Sequence, residues 1–116
     1  MAKISTRNIT AQNVADILDT AGYGIGDFAR EAKVHSDLSY TFIEKSEASG
    51  EPDKAHTITA AQVRQAVVDR ASQGDHHLRE AFVDWDRENG IDTGEIDSVG
   101  ASVIVQLAAF GDVVYG

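Results

Sequence analysis

The chain has no cysteine. That one absence removes disulfides, thiol nucleophiles, zinc knuckles and iron–sulfur clusters together. Cations are also scarce: 10 Lys and Arg stand against 19 Asp and Glu, for a formal net charge of -9. Such a surface repels nucleic acid and anionic membranes, so neither is expected as a direct partner. The longest apolar stretch lies near ASVIVQLAAF and is too short for the ~30 Å of hydrocarbon in a bilayer. MAKISTRNIT carries no apolar stretch behind its charges, so it does not read as a secretory signal. The expectation is a soluble, cytoplasmic protein. The sequence also lacks GxSxG, HExxH and Walker loops. No catalytic residue, metal site or cofactor is expected, and the chain reads as a non-enzyme.

Hydrophobic residues make up 42% of the 116, enough for one core in a single domain over 1–116. Thr10 is placed to cap a helix, with Val14, Ile17, Leu18 and Ala21 on one stripe. Gly22, Gly24 and Gly26 interrupt it, yet Ile25, Phe28, Ala29 and Ala32 continue the same spacing. Two readings stay open. Either two helices break near Gly22–Gly24, or one helix uses its glycines for close approach. LSYTFIEK (38–45) alternates as a half-buried strand does, with Leu38, Tyr40 and Phe42 on one face. SEASGEPDK holds the only proline, Pro52, and forms the turn, and AHTI (55–58) returns as the second strand.

Thr59 and Gln62 spell a capping box in TAAQ, before a stripe of Val63, Ala66, Val67 and Ala71 that Gly74 stops. Asp75 is placed to cap the next helix, with Leu78, Ala81, Phe82 and Trp85 inward. The last helix, within DSVGASVIVQLAAFGDVVYG, is apolar nearly all round and expected at the centre of the fold. Gln106 then sits among apolar neighbours and needs hydrogen-bond partners, or costs about 1–3 kcal/mol. The result is an α+β domain, mainly helical, of four or five helices with one antiparallel β-hairpin near residues 38–58.

The segment 84–95, DWDRENGIDTGE, raises a calcium reading. Counted from Asp84, Asp86, Glu88, Asp92 and Glu95 fall at positions 3, 5, 9 and 12 of an EF-hand loop. Position 6, however, is Asn89, and the glycine arrives one residue late. Counted from Asp86, the loop closes on Glu95 after ten residues instead of twelve. The plainer reading is an acidic turn between two helices, with Asp97 or Ser98 capping the second. His76 and His77 point about 100° apart on a helix and make no two-ligand face. His35 and His56 read as strand-edge histidines. Gly22-Tyr23-Gly24-Ile25-Gly26 lacks the preceding strand and the spacing of a dinucleotide fingerprint.

At AGYGIGDFA and DSVGASVIVQLAAFGDVVYG the chain resembles a family of small accessory proteins of tailed phages, common among phages of actinobacteria. Gly24-Ile25 match the end of that family's first helix, while Asp27-Phe28 stand where it has Tyr-Trp. Ile104-Val105-Gln106, Phe110-Gly111-Asp112 and Val113-Val114-Tyr115-Gly116 match its C-terminal motif. The resemblance implies an accessory protein acting in the cytoplasm of an infected cell, of a kind that counters host defence without catalysis.

Joined to the residues, this gives the leading expectation: sequestration of a small nucleotide-like immune signal by a homo-oligomer, whose interface supplies part of the pocket. Tyr23 and Phe28 would stack on the ligand together with Tyr115, and Arg30 would clamp a phosphate. Asp27 and Gln106 would read hydroxyl or amide groups. Arg64 and Arg70 are the other cations near helices. The competing expectation is an acidic protein–protein inhibitor that engages a basic surface of a host defence protein or of a nucleic-acid-binding protein. A single degenerate EF-hand is the third.

Overall fold

The computed structural model describes residues 4–46 and 52–115. A 3-10 turn at Thr6–Asn8 leads into α1 (Ala11–Ala21). Three strands follow, β1 (Ala29–Val34), β2 (Tyr40–Glu44) and β3 (Lys54–Ile58), then α2 (Ala60–Ser72) and α3 (His76–Ala81). A second 3-10 turn at Thr93–Glu95 precedes α4 (Ser98–Phe110). This is an α+β fold, with four helices against one antiparallel sheet in the order β1-β2-β3. Of the SEASGEPDK turn, residues 47–51 lie outside the described residues, as does Gly116.

The helix starts form as their caps dictate. The hydroxyl oxygens of Thr10 and Thr59 accept from the backbone N–H of Asn13 and Gln62, whose side chains accept in return from the cap N–H. Each capping box satisfies two backbone donors that a helix end leaves orphaned. Asp75 and Asp97 cap α3 and α4 through Leu78 N–H and Gly100 N–H. α3 stops at Ala81, so Trp85 lies beyond it and is only half-buried.

Between α1 and the sheet the outcome differs from both readings of the glycines. α1 ends at Ala21, and residues 22–28 turn without forming a second helix. Phe28 and Ala29 are buried as the chain enters β1, not as the stripe of a helix. β1 is a third strand beyond the expected hairpin. It pairs with β2 through an irregularity between Arg30 and Lys33, where Glu31 takes a φ of 55°. A bulge of this sort, with charged side chains along it, blunts an edge strand against further pairing.

β2 is the centre of the sheet, paired on its other side with β3 from Tyr40–Ile58 to Glu44–Lys54. Tyr40, Phe42 and Ile58 turn inward onto the helices, as alternation requires. Leu38 lies outside β2, in the β1–β2 turn with a φ of 64°, and packs half-buried against the core. One continuous apolar cluster runs from Ile9 to Val105 and draws on every helix and all three strands. α4 packs on α1, α2 and β3, which places the C-terminal helix between the helical layer and the sheet.

The close approach expected of the glycines occurs at Gly24. A Cβ there would lie 2.2 Å from the carbonyl oxygen of Ser98, whereas one at Gly26 would meet nothing within 4 Å. Gly24→Ala should therefore cost about 1–3 kcal/mol through overpacking, while Gly26→Ala should change stability by no more than about 1 kcal/mol. Urea unfolding of the two variants checks the contrast.

Candidate functional site

The acidic segment 84–97 is built on a buried carboxamide from another part of the chain. Asn13, 3% exposed, reaches across from the first turn of α1. Its Oδ1 accepts from Thr10 N–H at 2.9 Å and from Ile91 N–H at 3.0 Å. Its Nδ2 donates to the carbonyls of Asn89 at 3.1 Å and Ile91 at 3.2 Å. All four hydrogen-bonding positions of the amide are thus in use. Gly90 fits beneath it with a φ of 76°, and a Cβ there would come within 2.0 Å of Asn13 Oδ1. Only glycine meets both conditions.

Three carboxylates of the segment, those of Asp86, Asp92 and Asp97, serve its own backbone. Asp86 Oδ1 accepts from Glu88 N–H and Asn89 N–H at 2.9 and 2.6 Å, closing a turn that the Asp86–Gly90 backbone pair completes. These N–H donors, Asn89's first, hold the Asp86 carboxyl below its ordinary range. Asp92 caps the 3-10 turn through Gly94 N–H at 3.0 Å, and Asp97 caps α4. Among the described residues no three acidic or imidazole side chains are grouped to hold a metal ion. Of the EF-hand positions, Asp86 and Asp92 are thus engaged in a turn and a cap.

Instead the segment walls an open hollow of about 400 Å³, lined by Asp84, Asp86 and Asp92 and by Asp16 of α1. Asp16 is tied to the segment by the hydroxyl of Thr93, which donates to it at 3.2 Å. Arg87 is the one cation between residues 84 and 97, against Asp84, Asp86, Glu88, Asp92, Glu95 and Asp97. Four other cations, Arg30, Lys33, Lys45 and Lys54, belong to the sheet and its margins. The hollow lies within a segment of six acids and one cation.

The residues expected to bind a small ligand divide into two groups. Phe28, Gln106 and Tyr115 do come together. The Tyr115 ring stacks on Phe28 with centroids 4.3 Å apart, and both join Phe42, Phe110 and His56 in one aromatic cluster. Gln106 Oε1 accepts from the N–H groups of Val114 and Tyr115 at 2.8 and 2.7 Å. Its Nε2 donates to Ser102 Oγ and the Tyr115 carbonyl, both at 3.3 Å. The amide finds the partners its burial demanded, and it spends them on holding the C-terminal tail against α4. The Tyr115 hydroxyl donates to Glu44, which also takes a bond from His56 Nε2 at 2.9 Å.

The other three residues stand apart from this cluster. Tyr23 is 89% exposed at the turn after α1, and Asp27 is exposed nearby. Arg30 points to solvent from β1, in ion pairs with Asp53 at 3.0 Å and Glu31 at 3.1 Å. Hollows beside α2, beside α3 and at the acidic segment include none of the six. Arg64 donates to the Ile9 carbonyl at 2.9 Å and Arg70 pairs with Asp75 at 3.3 Å, so both serve local structure. His35 bonds Thr41 across the β1–β2 hairpin, and the exposed rings of His76 and His77 lie 5.8 Å apart without a carboxylate between them.

Asn13 was not singled out in the sequence. The one signal was its place at the third position after Thr10, where TAQN parallels TAAQ of the next capping box. No helix of the described residues is long and apolar enough to cross a membrane. Compared with protein-family models, curated proteins and solved structures, the chain matches none.

Two measurements check these assignments. Asn13→Ala strands the buried Ile91 N–H and should cost about 2–3 kcal/mol in urea unfolding. The tail should also respond to acid. Donation from the Tyr115 hydroxyl is the main reason that the Glu44 carboxyl lies below its ordinary 4.5, with His56 assisting and burial opposing. A depressed folded value stabilises fully above pH 4.5 and is lost as pH falls through that lowered value. The Tyr115 ring resonances should therefore hold steady down to pH 4.5 and shift below it, and Glu44→Gln should remove the transition.

Proposed function

We propose that this chain is a non-catalytic binding protein whose acidic hollow receives lysine and arginine side chains from a basic surface of another protein. The observation that carries the reading is the set of four carboxylates, Asp16, Asp84, Asp86 and Asp92, around one hollow whose shape Asn13 holds in advance. A site shaped before binding loses little conformational freedom when a partner arrives. Asp16, Asp86 and Asp92 are held by Thr93, Asn89 and Gly94, and their remaining lone pairs can accept from ammonium and guanidinium groups. The net charge of -9 adds long-range steering toward a cationic partner. A host protein that handles nucleic acid presents such a surface, and covering it would block its use. In the setting implied by the resemblance to tailed-phage accessory proteins, the consequence is disarming of a host defence.

Sequestration of a nucleotide-like signal is less well supported by the geometry. Gln106 and Tyr115 are engaged with each other, with Phe28 and with Glu44. Tyr23 and Arg30 remain available only at the surface.

The test uses a short arginine- and lysine-rich peptide and a labelled cyclic dinucleotide as alternative probes. The peptide should bind, and should weaken steeply between about 0.1 and about 1 M salt as the screening length falls from about 10 to about 3 Å. Replacing Asp16 and Asp84 together with asparagine should weaken it about two- to tenfold, at up to about 1 kcal/mol for each exposed pair. Peptide binding that ignores both salt and the substitutions contradicts the proposal. Dinucleotide binding without peptide binding favours sequestration.

A further inference from the structure

The chain holds three asparagines, Asn8, Asn13 and Asn89. Asparagine is among the residues whose side chains decay spontaneously in water. Asn8 precedes Ile9 and Asn13 precedes Val14, whose branched side chains crowd the backbone nitrogen that follows each carboxamide. Asn89 precedes Gly90, which has no side chain to crowd it. An asparagine in that setting is open to attack on its own carboxamide. Hydroxide takes the proton of the Gly90 nitrogen, and that nitrogen bonds to Asn89 Cγ, closing a succinimide ring. The carboxamide nitrogen takes a proton from water and leaves as ammonia, which restores the hydroxide. Water then opens the ring at either carbonyl and leaves aspartate or isoaspartate. The reaction needs nothing but water and base.

In the folded chain both reacting groups are engaged. Gly90 is buried, and its N–H donates to the Asp86 carbonyl at 2.9 Å; Asp86 N–H donates back at 3.0 Å. Asn89 Nδ2 donates to Asp86 Oδ2 at 3.3 Å, and Asn89 N–H to Asp86 Oδ1 at 2.6 Å. The Asn89 carbonyl is held by Asn13 Nδ2 at 3.1 Å. Ring closure consumes the Gly90 proton and draws the carboxamide off Asp86, so it competes with these bonds. Asn89 itself is exposed, so its protection comes from the held backbone and not from exclusion of water.

We infer that Asn89-Gly90 is a site of self-modification, kept closed by Asn13 and Asp86 and reactive when the segment around it opens. Conversion is one-way, because the ammonia is lost. Either product puts a carboxylate where the carboxamide donated to Asp86, so repulsion replaces a hydrogen bond. Isoaspartate also inserts a methylene into the backbone just ahead of Gly90. The spacing that sets the Asn89 and Ile91 carbonyls together on Asn13 is then lost. A segment that has opened and reacted does not return to its original shape. The inference rests on the bonds around Asn89 and not on what the hollow binds.

The test is a time course of the purified full chain in mildly alkaline buffer, read by mass spectrometry of the peptide that contains Asn89. Folded wild type should convert at least about tenfold more slowly than the same chain unfolded in guanidinium chloride. Asn13→Ala, at a temperature where circular dichroism shows it folded, should convert at least about tenfold faster than wild type. Asp86→Ala changes an exposed residue, keeps the fold, and should convert at least about fivefold faster. Asn89→Gln, which would have to close a larger ring, should stay unmodified over the same period. Folded wild type that converts as fast as the unfolded chain overturns the inference. So does an unfolded chain that converts first at Asn8 or Asn13, or a pair of folded variants no faster than wild type. Peptide binding is not part of the readout, so this inference and the proposed function fail separately.

Discussion

The Asn13 carboxamide is the contact on which the acidic side of the molecule depends. It sits in the first turn of α1 and bonds to backbone more than seventy residues away, at Asn89 and Ile91. Each such bond contributes only about 1 kcal/mol net, but a stranded buried partner costs about 1–3 kcal/mol. The asymmetry makes the contact hard to replace piecemeal. It also explains how a segment so rich in like charge can keep one shape. Repulsion among Asp84, Asp86, Glu88 and Asp92 favours an open chain, and it is opposed by the Asn13 bonds together with the Asp86 and Asp92 turns. Gly90 is bound into the same arrangement, because any side chain there would strike the amide.

Gln106 repeats the device at the other end of the sequence. It too is a buried amide on a helix, and it too holds irregular backbone, here that of Val114 and Tyr115. Apart from Ser102, these two amides are the buried polar side chains of the described residues. Both sit where a segment without regular structure must be fixed to the helical layer. The tail, once fixed, lets Tyr115 close the aromatic cluster over Phe28 and reach Glu44 on the sheet. Helices and sheet are thereby joined through a residue next to the end of the chain.

The helix starts were legible in the sequence because their caps are local. Thr10, Thr59, Asp75 and Asp97 each meet donors within three residues, so the spacing alone reveals them. The alternation of Tyr40 and Phe42 likewise placed the central strand. β1 was hidden for the opposite reason: only Ala29 is buried in it, its edge is charged, and the bulge at Glu31 breaks the period. Ile25 and Phe28 mimicked a helical stripe because a tight turn buried them both. Gln106 was recognisable as an amide in need of partners, but its choice of the tail over a ligand depended on where residues 113–115 fold. Tyr23 and Arg30 separate from Phe28 because the course of the turn at 22–28 has no one-dimensional signature. Asn13 was hardest to find, since its partners are distant in sequence and its own position reads simply as a capping residue.

The central claim is that Asn13 fixes the acidic segment before any partner arrives, and amide hydrogen exchange at Ile91 tests it most directly. Its N–H, buried and bonded to Asn13, should exchange only through global unfolding, as slowly as the core amide of Val14 and far more slowly than the exposed Glu88 amide. Exchange at Ile91 as fast as at Glu88 would mean that the segment opens freely in the isolated protein, and the account of a preformed acidic hollow would not stand.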